Sequence, residues 1–185
     1  MLVFLDLEAS SLAKEGYPIE VGWVFEDGRS EGHLIRPAPD WTDWDPRAEA
    51  IHRISRAMLE RDGVPHGEVA ARMVEQLHGH DLVASAPSWD GKWLSRLLRA
   101  AGLPRHSLRL RDSDDAVREA AAALLGPAFP HGGLEEAVSS LVGAIDRESP
   151  AAAPAHRAVA DAEGERQLWL AVRTAAEAHA AGAPR

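Results

Sequence analysis

The chain has 185 residues, which matches one ordinary globular domain and is long enough to bury roughly 70% of its unfolded surface. Hydrophobic residues make up 45% and charged residues 26%, so the composition excludes an intrinsically disordered, collagen-like or membrane-spanning chain. The formal net charge of -9 argues against holding long duplexes by neutralising their phosphates, although it leaves chemistry on short strands open. We therefore expect a single domain over residues 1–185.

Cysteine is absent from the sequence, which removes disulfides, thiolate zinc sites and cysteine nucleophiles and fits a reducing compartment. The N-terminal segment MLVFLDLE has neither the basic region nor the small-residue cleavage site of a secretory signal. We therefore expect a cytoplasmic protein that does not bind membranes. The oligomeric state stays open at this point, and a homodimer is compatible with the sequence.

Three strand patterns come first in the chain. They cover residues 2–8, 18–25 and 32–37, and the turn signal EDGRS separates the second from the third, which predicts a three-strand meander. A proline-rich loop with two tryptophans follows the meander. After this loop, apolar spacing and helix-end signals predict helices over residues 47–61 and 65–77.

The second half of the chain begins with a strand, a helix and another strand, predicted over residues 82–85, 89–102 and 107–110. This order implies a parallel crossover. Three further helices are then predicted over residues 112–125, 133–145 and 156–179, with the segment SPAAAPA before the last of them. The elements together predict an α/β fold with a mixed five-stranded sheet, a meander plus two crossover strands, flanked by helices.

Two acidic residues lie in the first strand pattern, which is otherwise apolar at nearly every position, as in a central strand buried on both faces. Asp6 and Glu8 are two residues apart, so their side chains share one face at about 6–7 Å along the strand. Two carboxylates there repel each other and lose hydration unless a cation lies between them. From this pair alone, a cation site and a simple strand end, with Glu8 in solvent and Asp6 capping a turn, are equally good interpretations.

Three more polar residues stand at informative positions. Asp161 falls on the core-facing stripe of the last helix, where pairing with an arginine is the ordinary fate of a buried acid. His156 lies on the loop before that helix, because two nearby prolines disfavour helix there. Asp90 lies in the first turn of a helix, where an acid complements the helix dipole without needing another role.

The order of these residues resembles the DEDDh 3'-to-5' exonucleases, the DnaQ-like branch of the ribonuclease H-like fold. The family signature is D-x-E, then a mid-chain aspartate, then H-x-A-x-x-D. Asp6 and Glu8 match the first motif, Asp90 the second, and the segment HRAVAD with His156 and Asp161 the third. The resemblance spans essentially the whole chain, and the segments PIEVGWVF and IHRIS also resemble the family. D-x-E alone is unspecific, whereas the ordered set is specific.

The resemblance implies a metal site and a mechanism. Four carboxylates can hold two Mg²⁺ or Mn²⁺ ions that activate water and stabilise a leaving 3' oxygen. By analogy with the family, Asp6 bridges the two ions, and Glu8, Asp90 and Asp161 complete their shells. His156 takes the proton from the attacking water, a task that suits a side chain with an unperturbed pKa near 6.5. These five residues are the expected catalytic set.

Several positions around the expected ligands depart from the family pattern. Ser10 and Ser11 stand where the family usually has threonines after the first motif. The middle motif reads Pro-Ser-Trp-Asp, with Trp89, instead of Asn-x-Phe-Asp, and Arg53 replaces a glycine. We take Ser10, Ser11 and Trp89 as candidate substrate-binding residues, although the family's sugar and base contacts do not transfer to them directly.

The resemblance therefore predicts a metal-dependent 3'-to-5' exonuclease that acts on the 3' ends of short single-stranded nucleic acid, with RNA slightly favoured over DNA. One alternative keeps the fold and the metals but hydrolyses free nucleotides or small phosphodiesters, which an acidic surface would tolerate. Another alternative is a non-catalytic ribonuclease H-like binding or scaffold module. That last alternative predicts the loss of at least one ligand, and the sequence retains them all.

Two further groups of residues are ambiguous in the sequence. Trp41 and Trp44 lie in the proline-rich loop, where they either stack on bases or cap the edge of a core, the commoner fate of a large aromatic side chain. Arg105, Arg109 and Arg111 either form a phosphate-binding patch or, for the last two, alternate along a half-exposed strand. The remaining histidines are expected at the surface.

Overall fold

The computed structural model describes residues 1–148 and 155–182, so most of the SPAAAPA segment lies outside the described residues. No helix in these two ranges is both long and apolar enough to cross a membrane. The elements in chain order are β1 (Leu2–Ala9), β2 (Pro18–Phe25), β3 (Ser30–Arg36), α1 (Pro46–His52), α2 (Arg56–Asp62), β4 (Val64–Pro65), α3 (His66–Leu77), β5 (Asp81–Ala84), α4 (Pro87–Ala100), β6 (Leu110–Asp112), α5 (Ser113–Leu125), a 3-10 turn (Gly126–Ala128), α6 (Leu134–Glu148) and α7 (Ala158–Gly182).

The strands form one mixed sheet in the order β4-β3-β2-β1-β5-β6. The meander β1-β2-β3 is antiparallel, and β5 and β6 join it in parallel through crossovers. The predicted α/β architecture is thus confirmed, but the sheet has six strands instead of five. The additional strand, β4, contributes two residues that pair with β3. A strand of two residues has no alternation that a sequence pattern can reveal.

The sheet separates two hydrophobic cores. On β1, Leu5 and Leu7 pack with α2, α3 and α4, whereas Phe4 packs with α5, α6 and α7 on the other face. Because side chains alternate along a strand, Asp6 and Glu8 lie on the same face as Phe4. The central strand therefore directs both acids towards the helical layer that contains α7.

Two predicted elements differ from the structure. The helix expected over residues 47–61 is two helices, because Arg53 adopts a left-handed conformation (φ 58°) after α1, and Ser55 caps α2 by accepting a hydrogen bond from the Met58 N–H. A serine cap starts a new helix and so separates the two segments. The strand expected over residues 107–110 begins only at Leu110, since Ser107 instead closes a turn by bonding to Pro104.

The first turn of α7 rests directly on the backbone of the meander. Gly22 of β2 and Gly32 of β3 are opposite each other in the strand register. A Cβ atom added at Gly22 would lie 2.3 Å from the Val159 nitrogen, and one added at Gly32 would lie 2.4 Å from Val159 Cγ2. Only glycine permits this approach. The two glycines therefore fix the height of α7 above the sheet, and with it the position of Asp161.

Candidate metal and catalytic site

One large cleft lies where β1 and β5 end, between α4 and α7. Its volume is about 1070 Å³, and its lining includes Asp6, Glu8, Asp90, His156 and Asp161. These residues come from β1, from α4, from the loop before α7 and from α7 itself. The structure thus brings together all five residues of the predicted catalytic set, although they span 156 positions of the chain.

The two carboxylates of β1 are crowded by other acids. Burial, and to a smaller extent the charges of Asp90 and Glu8, raise the pKa of Asp6 to about 8. Burial, followed by the charge of Asp161, raises the pKa of Glu8 to about 7, although the nearby guanidinium of Arg157 lowers it. Both groups therefore resist ionisation near neutral pH in the absence of a cation.

Asp90 links α4 to the central strand. Its side chain is 4% exposed, and its Oδ1 accepts a hydrogen bond of 3.1 Å from the Leu7 N–H. Burial raises the pKa of Asp90 to about 6, while backbone N–H groups, that of Leu7 among them, oppose the rise. Asp90 therefore does more than complement the dipole of α4, because it holds the helix start against β1 beside Asp6.

Asp161 organises the loop before α7. Its two carboxylate oxygens accept hydrogen bonds from the N–H groups of Ala155 (2.7 Å) and Arg157 (3.2 Å). Between them, His156 adopts a left-handed backbone conformation (φ 53°), which costs a non-glycine residue about 1–3 kcal/mol and persists only where the surroundings hold it. Asp161 thus fixes the loop on both sides of His156.

Ligand atoms of Glu8, His156 and Asp161 lie within 4.8 Å of one another. Glu8 and Asp161, together with Asp6 and Asp90, supply carboxylate oxygens, the ligands that Mg²⁺ and Mn²⁺ take in proteins, and His156 supplies a ring nitrogen. The crowding that raises the pKa of Asp6 and Glu8 is the condition that a divalent cation relieves. The donor set therefore fits the divalent ions expected from the sequence.

Glu20 is a site residue that the sequence analysis missed. It is 6% exposed and lies opposite Glu8 in the register of β1 and β2. Its carboxylate accepts hydrogen bonds from the Arg157 guanidinium (2.7 Å) and from the Ala158 N–H (3.0 Å). Glu20 therefore anchors the start of α7 from below. A signal was present, since Glu20 is the single charged residue in the strand segment PIEVGWVF.

Two residues that line the cleft were also missed. Glu165 lines the cleft one helical turn after Asp161 and accepts a hydrogen bond of 2.6 Å from the Ser113 hydroxyl. Burial raises the pKa of Glu165. His52, expected at the surface, is 3% exposed and lines the cleft, and its Nδ1 accepts a hydrogen bond from the Ile54 N–H. Burial lowers the pKa of His52, so it contributes a neutral ring to the wall.

The three candidate substrate-binding residues have different surroundings. Ser10 is fully buried outside the cleft lining, and its hydroxyl oxygen accepts a hydrogen bond from the Tyr17 N–H, so it supports the loop after β1. Ser11 lines the cleft, and its hydroxyl donates to the Asp43 carboxylate. Trp89 also lines the cleft and is 43% exposed. The structure thus brings Ser11 and Trp89 to the cleft, but not Ser10.

The carboxylates of the predicted catalytic set form what we call the acidic floor of the cleft. An apolar rim, which we define as Leu12, Ile51 and Trp89, borders this floor. These are three of the four exposed large hydrophobic side chains in the described ranges, and all three line the cleft. Lys92 lies 5.1 Å above the Trp89 ring. Exposed apolar side chains gathered at one cleft mark a binding surface.

The tryptophans of the proline-rich loop belong to the core. Trp41 is 2% exposed and stacks on Tyr17, with ring centroids 5.2 Å apart. Trp44 is partly buried against the same core, and its Nε1 donates to Glu49. The interpretation of Trp41 as a residue that caps the core is confirmed, and base stacking by its buried ring is excluded.

No family model matches the sequence, and no curated protein matches it significantly. Solved structures do match, and the shared architecture is the ribonuclease H-like α/β fold. Several of the matched structures are of exonuclease I. A zinc-bound complex of the E. coli protein with single-stranded DNA has a TM-score of 0.66 and 17% identity, covering 94% of this chain and 40% of that one.

Two other matches agree with the first. E. coli exonuclease I in complex with a dT13 oligonucleotide has a TM-score of 0.63 and 15% identity, covering 90% of this chain and 39% of the other. Exonuclease I from Methylocaldum szegediense has a TM-score of 0.55 and 19% identity, covering 71% and 30%. The chain thus spans two fifths or less of the length of the exonuclease I chain in each of these three structures. At such identities, the likeness establishes the fold.

Proposed function

We propose that this protein is a metal-dependent 3'-to-5' exonuclease that hydrolyses the terminal phosphodiester bond of single-stranded nucleic acid. The observation that carries the proposal is the meeting of four carboxylates and His156 in one cleft. The fold shared with exonuclease I supports it. The crowded acids supply the metal site, and the apolar rim supplies a surface for unpaired bases.

In this mechanism the carboxylates of Asp6, Glu8, Asp90 and Asp161 would hold the divalent ions, Mg²⁺ or Mn²⁺. When bound, such ions activate water and stabilise the leaving 3' oxygen. His156 accepts the proton of the attacking water, because a neutral imidazole is an effective base near neutral pH. Its left-handed loop holds the ring beside Glu8 and Asp161.

The apolar rim contacts the bases at the 3' end. The Trp89 ring stacks on Trp93, with centroids 6.1 Å apart, and the part of the ring that remains exposed can stack on a base. Stacking of a base on an aromatic ring contributes about 1–3 kcal/mol and does not depend on which base is present. Leu12 and Ile51 add apolar area on other parts of the rim. We therefore expect little sequence preference and a requirement for unpaired terminal nucleotides.

Two observations weigh against the alternatives. A non-catalytic module predicts a lost ligand, whereas all five residues of the set line the cleft. A hydrolase of small phosphodiesters needs only the acidic floor, whereas the apolar rim extends the binding surface beyond it. The slight preference for RNA over DNA stays a prediction that the experiment below tests.

A panel of 5'-labelled oligonucleotides tests the proposal. RNA and DNA strands of equal sequence, single-stranded and duplexed, are incubated with the protein and Mg²⁺ or Mn²⁺, and the products are resolved by length. We expect stepwise shortening of single strands from the 3' end, resistance of duplexed and 3'-phosphorylated ends, and no product in the presence of a chelator.

Asp161→Asn supplies the negative control, because it removes one charge from the proposed metal site with little change of volume. Its activity should disappear, while an exposed acid changed in the same way, Asp40→Asn, should leave activity intact. Cleavage of circular single strands, or unchanged activity in Asp161→Asn, would contradict the proposal.

A further inference from the structure

A second pocket lies on the other flank of α4. Its volume is about 460 Å³; Gly91, Leu94 and Ser95 form one wall, and the segment leading into β6 forms the other. That segment contributes three basic side chains, Arg105, His106 and Arg109, all exposed. We call this the basic pocket.

The two arginines of the basic pocket have no carboxylate partner among the ion pairs of the described ranges. Arg105 donates instead to His106 Nε2 at 2.9 Å. The sequence has 29 acidic residues against 20 lysines and arginines, so two unpaired guanidinium groups in one concavity run against the overall charge. Such groups bind phosphate through their planar fork of N–H donors.

Alternation along a strand does not explain this arrangement. Strand β6 begins at Leu110, so Arg109 precedes it. Of the three arginines that the sequence analysis grouped together, only Arg111 lies within the strand. Arg111 is committed to structure, because its guanidinium bonds both oxygens of Asp81 at 2.7 and 2.9 Å and pairs with Glu119. Neither a position in the strand nor an ion pair therefore explains why Arg109 lies in the wall of the basic pocket.

The basic pocket and the cleft share α4 as a wall. Trp89 and Asp90 line the cleft, whereas Gly91 and Ser95 line the basic pocket. At 1.5 Å per residue, the pocket lining lies roughly 2–8 Å further along the helix axis than Asp90. A Cβ added at Gly91 would meet no atom within 4 Å, so the helix surface is open where it borders the basic pocket.

We infer that the basic pocket binds the phosphodiester backbone of the substrate strand a few nucleotides before its 3' end. The inference rests on the proposed function and adds a path for the strand across α4. The acidic floor repels phosphates wherever they are not neutralised by cations, so positive side chains beside it favour entry of the strand. The pocket contacts phosphates and therefore adds affinity without sequence preference.

The test compares the salt dependence of oligonucleotide binding in two matched double variants. Arg105→Gln with Arg109→Gln removes the pocket charges, and Arg118→Gln with Arg147→Gln removes two exposed charges from α5 and α6. All proteins carry Asp161→Asn to prevent cleavage. The probe is a labelled single strand of roughly ten nucleotides, and binding is followed by anisotropy across salt concentrations.

Each phosphate contact contributes about -0.7 to the slope of log K against log salt for single strands. The pocket variant should therefore lose about 1.4 from the magnitude of the slope, and the control variant should keep the slope of the parent. Between roughly 50 and 200 mM salt, the affinity of the parent should then fall about sevenfold more than that of the pocket variant.

An unchanged slope in the pocket variant, or an equal change in the control, would overturn the inference. A parallel titration with inorganic phosphate tests whether the pocket instead binds a free phosphate ion. Phosphate binding that is lost in the pocket variant, with an unchanged oligonucleotide slope, would assign the pocket to a free anion and also overturn the inference. This test measures binding and does not require turnover. Failure of the oligonucleotide cleavage panel would therefore contradict the proposed function without deciding whether the basic pocket binds the strand.

Discussion

Replacing Asp6 by asparagine should stabilise the protein in the absence of metal. The pKa of Asp6 in the folded protein, about 8, is above its ordinary value of 3.8. Between these two values the native state retains a proton that the unfolded state has lost, so stability falls as pH rises through this window. The Asp6→Asn variant lacks the titrating group, so its stability should decrease less as the pH rises.

The magnitude follows from the same two values. At about 1.4 kcal/mol per pH unit, the full difference sets an upper limit of about 6 kcal/mol at pH 8. Water entry and local relaxation reduce such penalties, so we expect a gain of about 1–3 kcal/mol at pH 8. For a chain of this size, that corresponds to an increase in Tm of roughly 3–10 °C.

The assay is thermal unfolding of wild type and Asp6→Asn with a chelator between pH 5 and pH 9, repeated with Mg²⁺. The variant should melt only slightly above wild type near pH 5, and the difference in Tm should widen towards pH 8. Mg²⁺ should raise the Tm of wild type at pH 8 and have little effect on the variant. A rise in the Tm of wild type from pH 5 to pH 8 in the presence of chelator would contradict a raised pKa of Asp6 in the folded protein.

Three further predictions concern activity, packing and substrate contact. His156→Ala should lower kcat by about 10²–10⁴ while metal affinity measured by calorimetry is retained; collapse of that affinity would make the histidine a ligand. Gly22→Ala should cost about 1–3 kcal/mol in chemical unfolding, because the new Cβ meets Val159, whereas Gly67→Ala on open helix surface should not destabilise. Trp89→Ala should raise KM for single strands without lowering Tm substantially, and an unchanged KM would remove the stacking contact.

The sequence predicted those parts of the fold and site that are carried by local patterns. The period-two pattern of β1 indicated that Asp6 and Glu8 share a face, and the helical stripe of α7 placed Asp161 on the buried side. Both statements depend on residues a few positions apart. The order of the three motifs then indicated which distant residues meet, and the cleft contains all of them.

The missed features depend on contacts between distant segments. Glu20 faces Glu8 through strand register, and its partner Arg157 lies 137 positions away, so no spacing rule connects them. His52 is buried because the chain turns sharply at Arg53, a conformation that non-glycine residues seldom adopt. Its burial could therefore not be inferred from a helical pattern that ran through the turn.

The contact of Gly22 and Gly32 with α7 has a consequence for how the protein tolerates change. Where most helices are separated from a sheet by interlocking side chains, the spacing depends on the volumes of those side chains. Here the first turn of α7 meets bare peptide groups, so the separation of Asp161 from the β1 acids is set by backbone dimensions. The two cores can therefore diverge in sequence while the distances between the carboxylate oxygens of Asp161, Asp6 and Glu8 are preserved.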